Sequence, residues 1–270
     1  MGLLIELQKR IPDGWFLRRL LPAVLYVVVA VVGGGQLGQR HWNDLGLARD
    51  GIAGTLPLGG GVTADGAATL VLVAVAAAGA AFAVPYAAGA VGVLASGAWP
   101  WWLAPVGQRL TRWRVRRWTH PTDIAREAVR ARGAGRELRA ARLDARRART
   151  APVEPGCPTW SGDRLRAAEE RVRTETGVEI TDEWSKLLLV ISDTSRVALS
   201  EARDTFGTVC ESLAWSLAVT LVGIWWWPAA VLGAVLWLAS WQSLRRAVES
   251  LCRTTEEVFA LQYTTRPIQP

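Results

Sequence analysis

Apolar positions in this 270-residue chain gather into long unbroken runs instead of recurring with a helical or strand period. Such runs suit lipid better than the core of a soluble domain. The first, 20–35, follows Lys9, Arg10, Arg18 and Arg19. A basic flank before an apolar core also describes a secretory signal. The long basic stretch, Pro22 near the start of the run, and Gly33, Gly34 and Gly35 in place of an Ala-x-Ala site favour an uncleaved span. Residues 36–66 are polar and Gly-rich, with His41, Trp42, Asn43, Asp44 and Gly59, Gly60 and Gly61, and read as an external loop.

The second run, from about Gly66 to Val106, would extend about 60 Å as one helix, twice the hydrocarbon thickness. Two short spans meeting at Pro85 and Tyr86 is one solution. A single long span, 67–98, kinked near Pro85 and followed by an interfacial Trp99, Pro100, Trp101, Trp102, is the other. Tryptophans favour the headgroup level, and Arg109, Arg112, Arg114, Arg116 and Arg117 follow at once, as at a cytoplasmic exit. The single span is therefore preferred.

The central region, 99–204, reads as helices and linkers. A helix is expected from Asp123, as N-cap after Pro121, to about Arg149, weakened by Gly133 and Gly135. A linker with Pro152, Pro155, Gly156 and Pro158 follows, then a helix from about Asp163 to Thr176 stopped by Gly177. The apolar Leu187 to Ile191 is too short to span, and is either buried or at the membrane surface. Spans at 205–226 and 227–244, broken at Trp227 and Pro228, form a hairpin, and 245–270 continues as a helix and tail. Periodic apolar positions outside these spans (Ala198, Ala202, Thr205, Val209 and Val248, Leu251, Thr255, Val258) predict a cytoplasmic two-helix stalk. Its register pairs Arg196 with Glu256, Glu201 with Arg253, Arg203 with Glu249 and Glu211 with Arg245.

Charge sets the orientation. The chain carries 31 Lys and Arg against 24 Asp and Glu, for a net charge of +7. By segment the basic residues number 4 before the first span, 2 in the first loop, 21 in the central region and 4 after the last span. The positive-inside rule then places residues 1–19, 99–204 and 245–270 in the cytoplasm and calls for an even number of spans. The predicted fold class is an all-α integral membrane protein of the inner membrane. It has four transmembrane helices, a helical cytoplasmic region between the second and third, and a final hairpin extended into the cytoplasm.

Candidate chemistry is sparse. Cys157, Cys210 and Cys252 lack metal-type spacing, and a reducing cytoplasmic setting predicts free thiols. His41 and His120 fall on opposite sides of the membrane in this topology, against a zinc site. Ser161, Asp163, Glu169, Glu170 and Glu175 include no nucleophile paired with a base, and no phosphate loop follows a strand. No catalytic residue, metal ligand or cofactor is therefore named. Arg109, Arg112, Arg114, Arg116 and Arg117 are candidates for anionic headgroup contact, or serve only as a topogenic signal on a solvated helix. Specific nucleic-acid binding is disfavoured, since only Trp113 and Trp118 offer stacking platforms. Small residues Ala76, Gly79, Ala80 and Ala83, with Gly92 and Ser96, are expected to let helices approach closely.

The segment Pro158, Thr159, Trp160, Ser161, Gly162, Asp163, Arg164, Leu165, Arg166, Ala167, Ala168, Glu169 resembles a Pro-Thr-x-x-Gly-Asn-x-Leu-Arg-Ala-Ala-Glu motif of a family of multi-pass membrane proteins of actinobacteria. Thr176, Gly177, Val178, Glu179 and Trp184 look like that family's Tyr-Gly-hydrophobic-acidic step and following Trp. Asp163 stands where Asn is usual, and Thr176 where Tyr is usual. The resemblance extends over about the last 120 residues and the Trp-rich exit of the second span, implies the multi-pass architecture and brings no established activity. Read physically, Pro158, Thr159, Gly162, Asp163, Arg166 and Glu169 form a turn and helix start suited to docking against the stalk or a partner. The expected function is a non-enzymatic interaction or signalling platform on the cytoplasmic face, with membrane lipids and a protein partner as ligands. The alternatives are a small transporter or pore-forming oligomer and an anionic-lipid-associated accessory protein. A homo-oligomer is compatible with each.

Overall fold

The structure, a computed structural model, describes residues 21–39, 44, 46–47, 64–119, 122–133, 135–138, 140–142, 145 and 153–264. The basic segment with Lys9, Arg10, Arg18 and Arg19, most of the expected external loop with His41, His120, Pro152 and the tail 265–270 lie outside the described residues. All regular structure among the described residues is helical. Helix α1 (Leu21–Val29) continues as a π-helical segment, Ala30–Leu37. Helix α2 (Ala64–Ala95) runs unbroken through Pro85. A 3-10 turn at Trp101–Leu103 leads into α3 (Ala104–Thr119), followed by α4 (Thr122–Gly133), α5 (Trp160–Thr176), α6 (Ile180–Val190), α7 (Asp193–Val222) and α8 (Trp227–Thr264). Two segments are long and apolar enough to cross a membrane, Val71–Ala95 and Asp193–Val222.

The chain divides into two compact units. The first holds α1, α2 as far as Gly89, and Cys210–Trp241; the second holds Ala90–Val209 and the chain from Gln242 onward.

The first unit packs through small side chains. Ala23 and Val27 of α1 meet Val73, Ala77 and Ala81 of α2, and Tyr26 packs against Trp215 with ring centroids 5.8 Å apart. The buried positions of α2 continue with Val84 and Ala88, steps of three or four that mark one helix face. Here the structure corrects the expected small-residue stripe, because Ala76, Gly79 and Ala83 face outward and Ala80 sits only at the edge of the cluster. Glycines set the remaining close approaches. A Cβ on Gly33 would lie 2.6 Å from Cε3 of Trp226, so the π segment can lie on the indole only without a side chain there. Gln39 Nε2 donates to the carbonyl of Ile224 at 2.8 Å, tying the end of that segment to the α7–α8 turn. The turn itself, Gly223–Trp226, is short because Gly223 meets Ala230 and Gly233 meets Thr220 with no room for a Cβ. Pro228 falls in the first turn of α8, where its missing N–H forfeits no intrahelical bond.

The second unit has an aromatic and aliphatic core of Val172, Leu187, Ile191, Val258 and Phe259, edged by Ile180, Trp184, Leu188 and Tyr263. The run Leu187 to Ile191 therefore belongs to an amphipathic helix end: Leu187 and Ile191 are buried while Leu189 and Val190 are exposed. Tyr263 stacks on Phe259 at 5.9 Å, and its hydroxyl donates to Glu183 Oε2 at 3.2 Å. Gly177 adopts φ 71°, and its N–H bonds the carbonyl of Arg173 to close α5, the left-handed cap that glycine favours. Two helix starts differ from expectation. α4 begins at Thr122, so Asp123 is inside it and not its cap, and it ends at Gly133 ahead of Gly135 at φ 69°. α5 begins at Trp160, three residues before the expected Asp163.

Candidate functional site: a buried ionic junction

The motif 158–169 is the place where the second unit is tied together. Thr159 caps α5: its Oγ1 accepts from the N–H of Gly162 at 3.0 Å and donates to the carbonyl of Ala95 at 2.6 Å. The first bond supplies an orphan helix donor with an acceptor. The second joins the start of α5 to the end of α2. That end is a turn with Gly97 at φ 85°, a conformation that favours glycine. Gly162 permits the contact, because a Cβ there would stand 2.7 Å from the carbonyl oxygen of Ser96.

Asp163 is fully buried. Its Oδ1 accepts from the N–H groups of Gly156 and Cys157, both at 2.8 Å, so it folds the preceding loop back on the helix instead of capping α5. Oδ2 faces Nη1 of Arg114 at 2.7 Å. That nitrogen directs its hydrogen bond to the carbonyl of Cys157 at 2.6 Å. Oδ2 makes no directed hydrogen bond, and its contact with Arg114 is a charge contact. Arg114 is thereby separated from its neighbours on α3: it is buried, while Arg109, Arg112, Arg116 and Arg117 are exposed. The expectation that Arg114 meets a lipid headgroup is corrected, because its guanidinium faces an internal carboxylate.

One residue further along, Arg164 points to α8. Nε lies 2.8 Å from Glu249 Oε2 and Nη1 lies 2.7 Å from Glu256 Oε1. Arg171 reaches the other oxygen of Glu256 at 2.7 Å, and Arg253 reaches Oε1 of Glu249 at 3.0 Å. The result is a ladder, Arg171–Glu256–Arg164–Glu249–Arg253. Burial opposes the charge on Arg164, but its hydrogen bonds to Glu249 and Glu256 outweigh that and hold its pKa above the usual value. The same bond, with Arg253 assisting, holds Glu249 below the usual carboxylate range against its own burial. The ladder overturns two pairs of the expected stalk register, Arg196 with Glu256 and Arg203 with Glu249. Glu249 and Glu256 serve Arg164, whereas Arg203 lies over the Trp184 ring at 4.5 Å and Arg196 pairs with Asp193. A third helix, α5, supplies the charges that a two-helix stalk left to α7.

The remaining motif residues play smaller parts. Arg166 is exposed and donates from Nη2 to the carbonyl of Glu154 at 2.8 Å, lying where a Cβ on Gly156 would otherwise stand. Pro158 is half-buried beside Gly107, and Glu169 is exposed. Trp160 carries the Arg245 guanidinium over its ring at 4.7 Å, and its buried Nε1 finds no acceptor. Arg245 is pushed below its ordinary pKa by burial and by the nearby charge of Arg114. An open groove of about 760 Å³ runs along the outer side of α8 past Trp160, Arg245, Glu249 and Arg253.

The junction is built from ion pairs and backbone hydrogen bonds. Its carboxylates are committed to arginines. Cys252 is buried and its thiol is pushed up to about 11 by that burial; Cys157 is pushed up by burial and by the charge of Asp163. A protonated buried thiol is a poor nucleophile. Among the described residues no three His, Cys, Asp or Glu side chains are placed to hold a metal ion. Sequence reasoning singled out Asp163 and Arg109 to Arg117 and gave Glu249 and Glu256 to arginines of α7, but assigned no partner to Arg164 or Arg171. The available signal was spacing: Arg164 and Arg171 on one helix, and Glu249 and Glu256 on another, are each seven residues apart, two turns on a single face. No family model matches the chain, and no curated protein or solved structure shows significant similarity to it.

Proposed function

We propose that the chain is a four-span inner-membrane protein whose second unit is a non-enzymatic interaction or signalling platform on the cytoplasmic face. The observation that carries this reading is the ionic junction, which fastens α3, α5 and α8 to the residues ending a membrane-length helix. Breaking a buried pair of this kind costs about 3–5 kcal/mol, so the junction holds a fixed arrangement of helices, as a docking surface requires. The charge asymmetry of the sequence supports the orientation, with 29 of 31 basic residues assigned to one side. Trp225 and Trp227, exposed at the α7–α8 turn, suit the headgroup level at the opposite end of a hairpin. A transporter or pore is less well supported, because Val71–Ala95 carries no charged residue, where coupled transport ordinarily uses intramembrane charge.

The test is labelling by an impermeant thiol reagent in intact cells. It uses a cysteine-free chain carrying single cysteines at Gly60, Ala151 or Gln269. Labelling at position 60 alone is the expected outcome. Labelling at 151 would place the Arg-rich region outside and overturn the reading.

A second reading, an anionic-lipid-associated accessory protein, is favoured by one observation: α3 exposes Trp113 together with Arg109, Arg112, Arg116 and Arg117.

A further inference from the structure

Helix α3 presents two faces of different character. Gly107 and Arg114 are buried, and Arg114 is committed to Asp163. On the other side Val106, Leu110 and Trp113 recur at steps of four and three, a single stripe in an α-helix, and their exposures are 50%, 38% and 54%. Arg117 continues the stripe with its guanidinium 5.2 Å from the Trp113 ring centroid. Arg109, Arg112 and Arg116 fall along one flank. Trp102, in the 3-10 turn just before α3, is also exposed.

We propose that this face of α3 lies on the cytoplasmic leaflet and binds the phosphodiester headgroups of anionic lipid, an inference that rests on the membrane reading above. The stripe supplies the apolar contact and the arginine flank supplies the charge. This combination of indole and guanidinium on one face of a helix marks an interfacial helix. The tether keeps α3 close to the leaflet: Ala104 follows Ala95, the last residue of a membrane-length helix, by nine positions, at most about 30 Å of chain. Arginine is the side chain best shaped for bidentate contact with phosphate. Stacking on Trp113 keeps the Arg117 charge at the edge of the apolar stripe instead of in bulk water.

The test uses the full chain with Cys157, Cys210 and Cys252 replaced by alanine and an environment-sensitive fluorophore attached through Val106→Cys. The chain is placed in nanodiscs of phosphatidylcholine alone or mixed with phosphatidylglycerol. Lipid brominated on its acyl chain is expected to quench the label. Iodide in the water phase is expected to quench it roughly threefold less when phosphatidylglycerol is present. Arg109→Glu combined with Arg112→Glu is expected to remove that lipid dependence. Hydrogen exchange at residues 104–119 of the otherwise unmodified chain, with and without the two reversals, repeats the comparison without a label or cysteine replacement. Equal iodide quenching in both lipids, or no quenching by bromolipid in either, overturns the proposal, the latter pointing to a protein as the occupant of the stripe. A chain that stays in the discs under those outcomes leaves the membrane reading standing; one that fails to enter them takes both down.

Discussion

The two units solve the same problem, fixing helices against one another, with different chemistry. In the first, Ala23, Val27, Ala77 and Ala81 form the contact, and Gly33, Gly223 and Gly233 remove side chains where backbone must come close. In the second, a core around Phe259 and Leu187 is joined by an ion-pair ladder and a fully buried aspartate. On the proposed membrane reading, solvent accounts for the difference. In lipid, apolar side chains gain little by leaving their surroundings, so association depends on close packing of small residues. In water, an apolar core is stabilised by burial itself, about 25 cal/mol per Å², and charges can be used to select one arrangement of helices.

The comparison breaks most sharply at Asp163. Asp163→Ala leaves Arg114 buried without its carboxylate and strands the N–H groups of Gly156 and Cys157, with an expected loss of about 3–5 kcal/mol. Asp163→Asn, the residue carried at this place by the resembled motif, keeps an acceptor for those N–H groups but no charge for Arg114, and should lose less. Thermal unfolding of the detergent-solubilised chain, followed with proteolysis of residues 90–209, measures both. A loss of under 1 kcal/mol for the alanine variant would mean the junction does not hold the second unit.

Glycine-to-alanine changes give the next largest effects and compare the units directly. Gly162→Ala drives a methyl into the Ser96 carbonyl and the Cys157 side chain, and Gly33→Ala drives one into Trp226. Overpacking of this sort costs about 1–3 kcal/mol. The partner at Gly33 is a side chain able to turn, whereas at Gly162 it is backbone. The larger loss is therefore expected at Gly162, and the reverse order would show that the α2–α5 contact is looser than its geometry.

The ladder can be sharpened by a double-mutant cycle. Arg164→Gln and Glu249→Gln should couple by about 1 kcal/mol or more, while Arg203→Gln and Glu249→Gln should add within about 0.5 kcal/mol. The depressed pKa of Glu249 gives a pH signature with a definite sign. Its contribution is complete above the ordinary carboxylate pKa of about 4.3 and is lost as pH falls through the lower folded value. Stability of the second unit should therefore decline more steeply with acid below about pH 4 in the native chain than in Glu249→Gln. Identical slopes would sink this assignment.

What was legible in the sequence follows from where phase information exists. The hairpin turn, Gly223–Trp226, falls just ahead of the break expected at Trp227 and Pro228, which begin α8, and the stop at Gly177 was readable because glycine acts locally. The buried face of α2 was not: a helix apolar on every side carries no phase, so Ala76 and Gly79 looked as suitable as Ala77 and Ala81. The stalk pairs given to Glu249 and Glu256 failed for another reason. Opposite charges on α7 and α8 can be matched on paper, but nothing in two helices reveals that a third offers Arg164 and Arg171 at the same seven-residue step. Asp163 was recognised by its motif, yet its partner Arg114 lies 49 positions away, a separation no local pattern encodes.

The smallest expected effect tests whether Trp160 belongs to the junction or only covers it. Its ring carries Arg245 at 4.7 Å, a contact worth about 0.5–1 kcal/mol near a surface. Its buried Nε1 makes no hydrogen bond, and an unsatisfied buried donor costs about 1–3 kcal/mol. Trp160→Phe removes the unpaired donor and keeps a ring for the guanidinium, so the two terms oppose each other. The variant should stay within about 1 kcal/mol of the native chain and could exceed it in stability, while Trp160→Ala should lose about 3–5 kcal/mol of packing. If Phe costs as much as Ala, the indole nitrogen has an acceptor in solution, and the groove beside Arg245 and Arg253 is where to look for it.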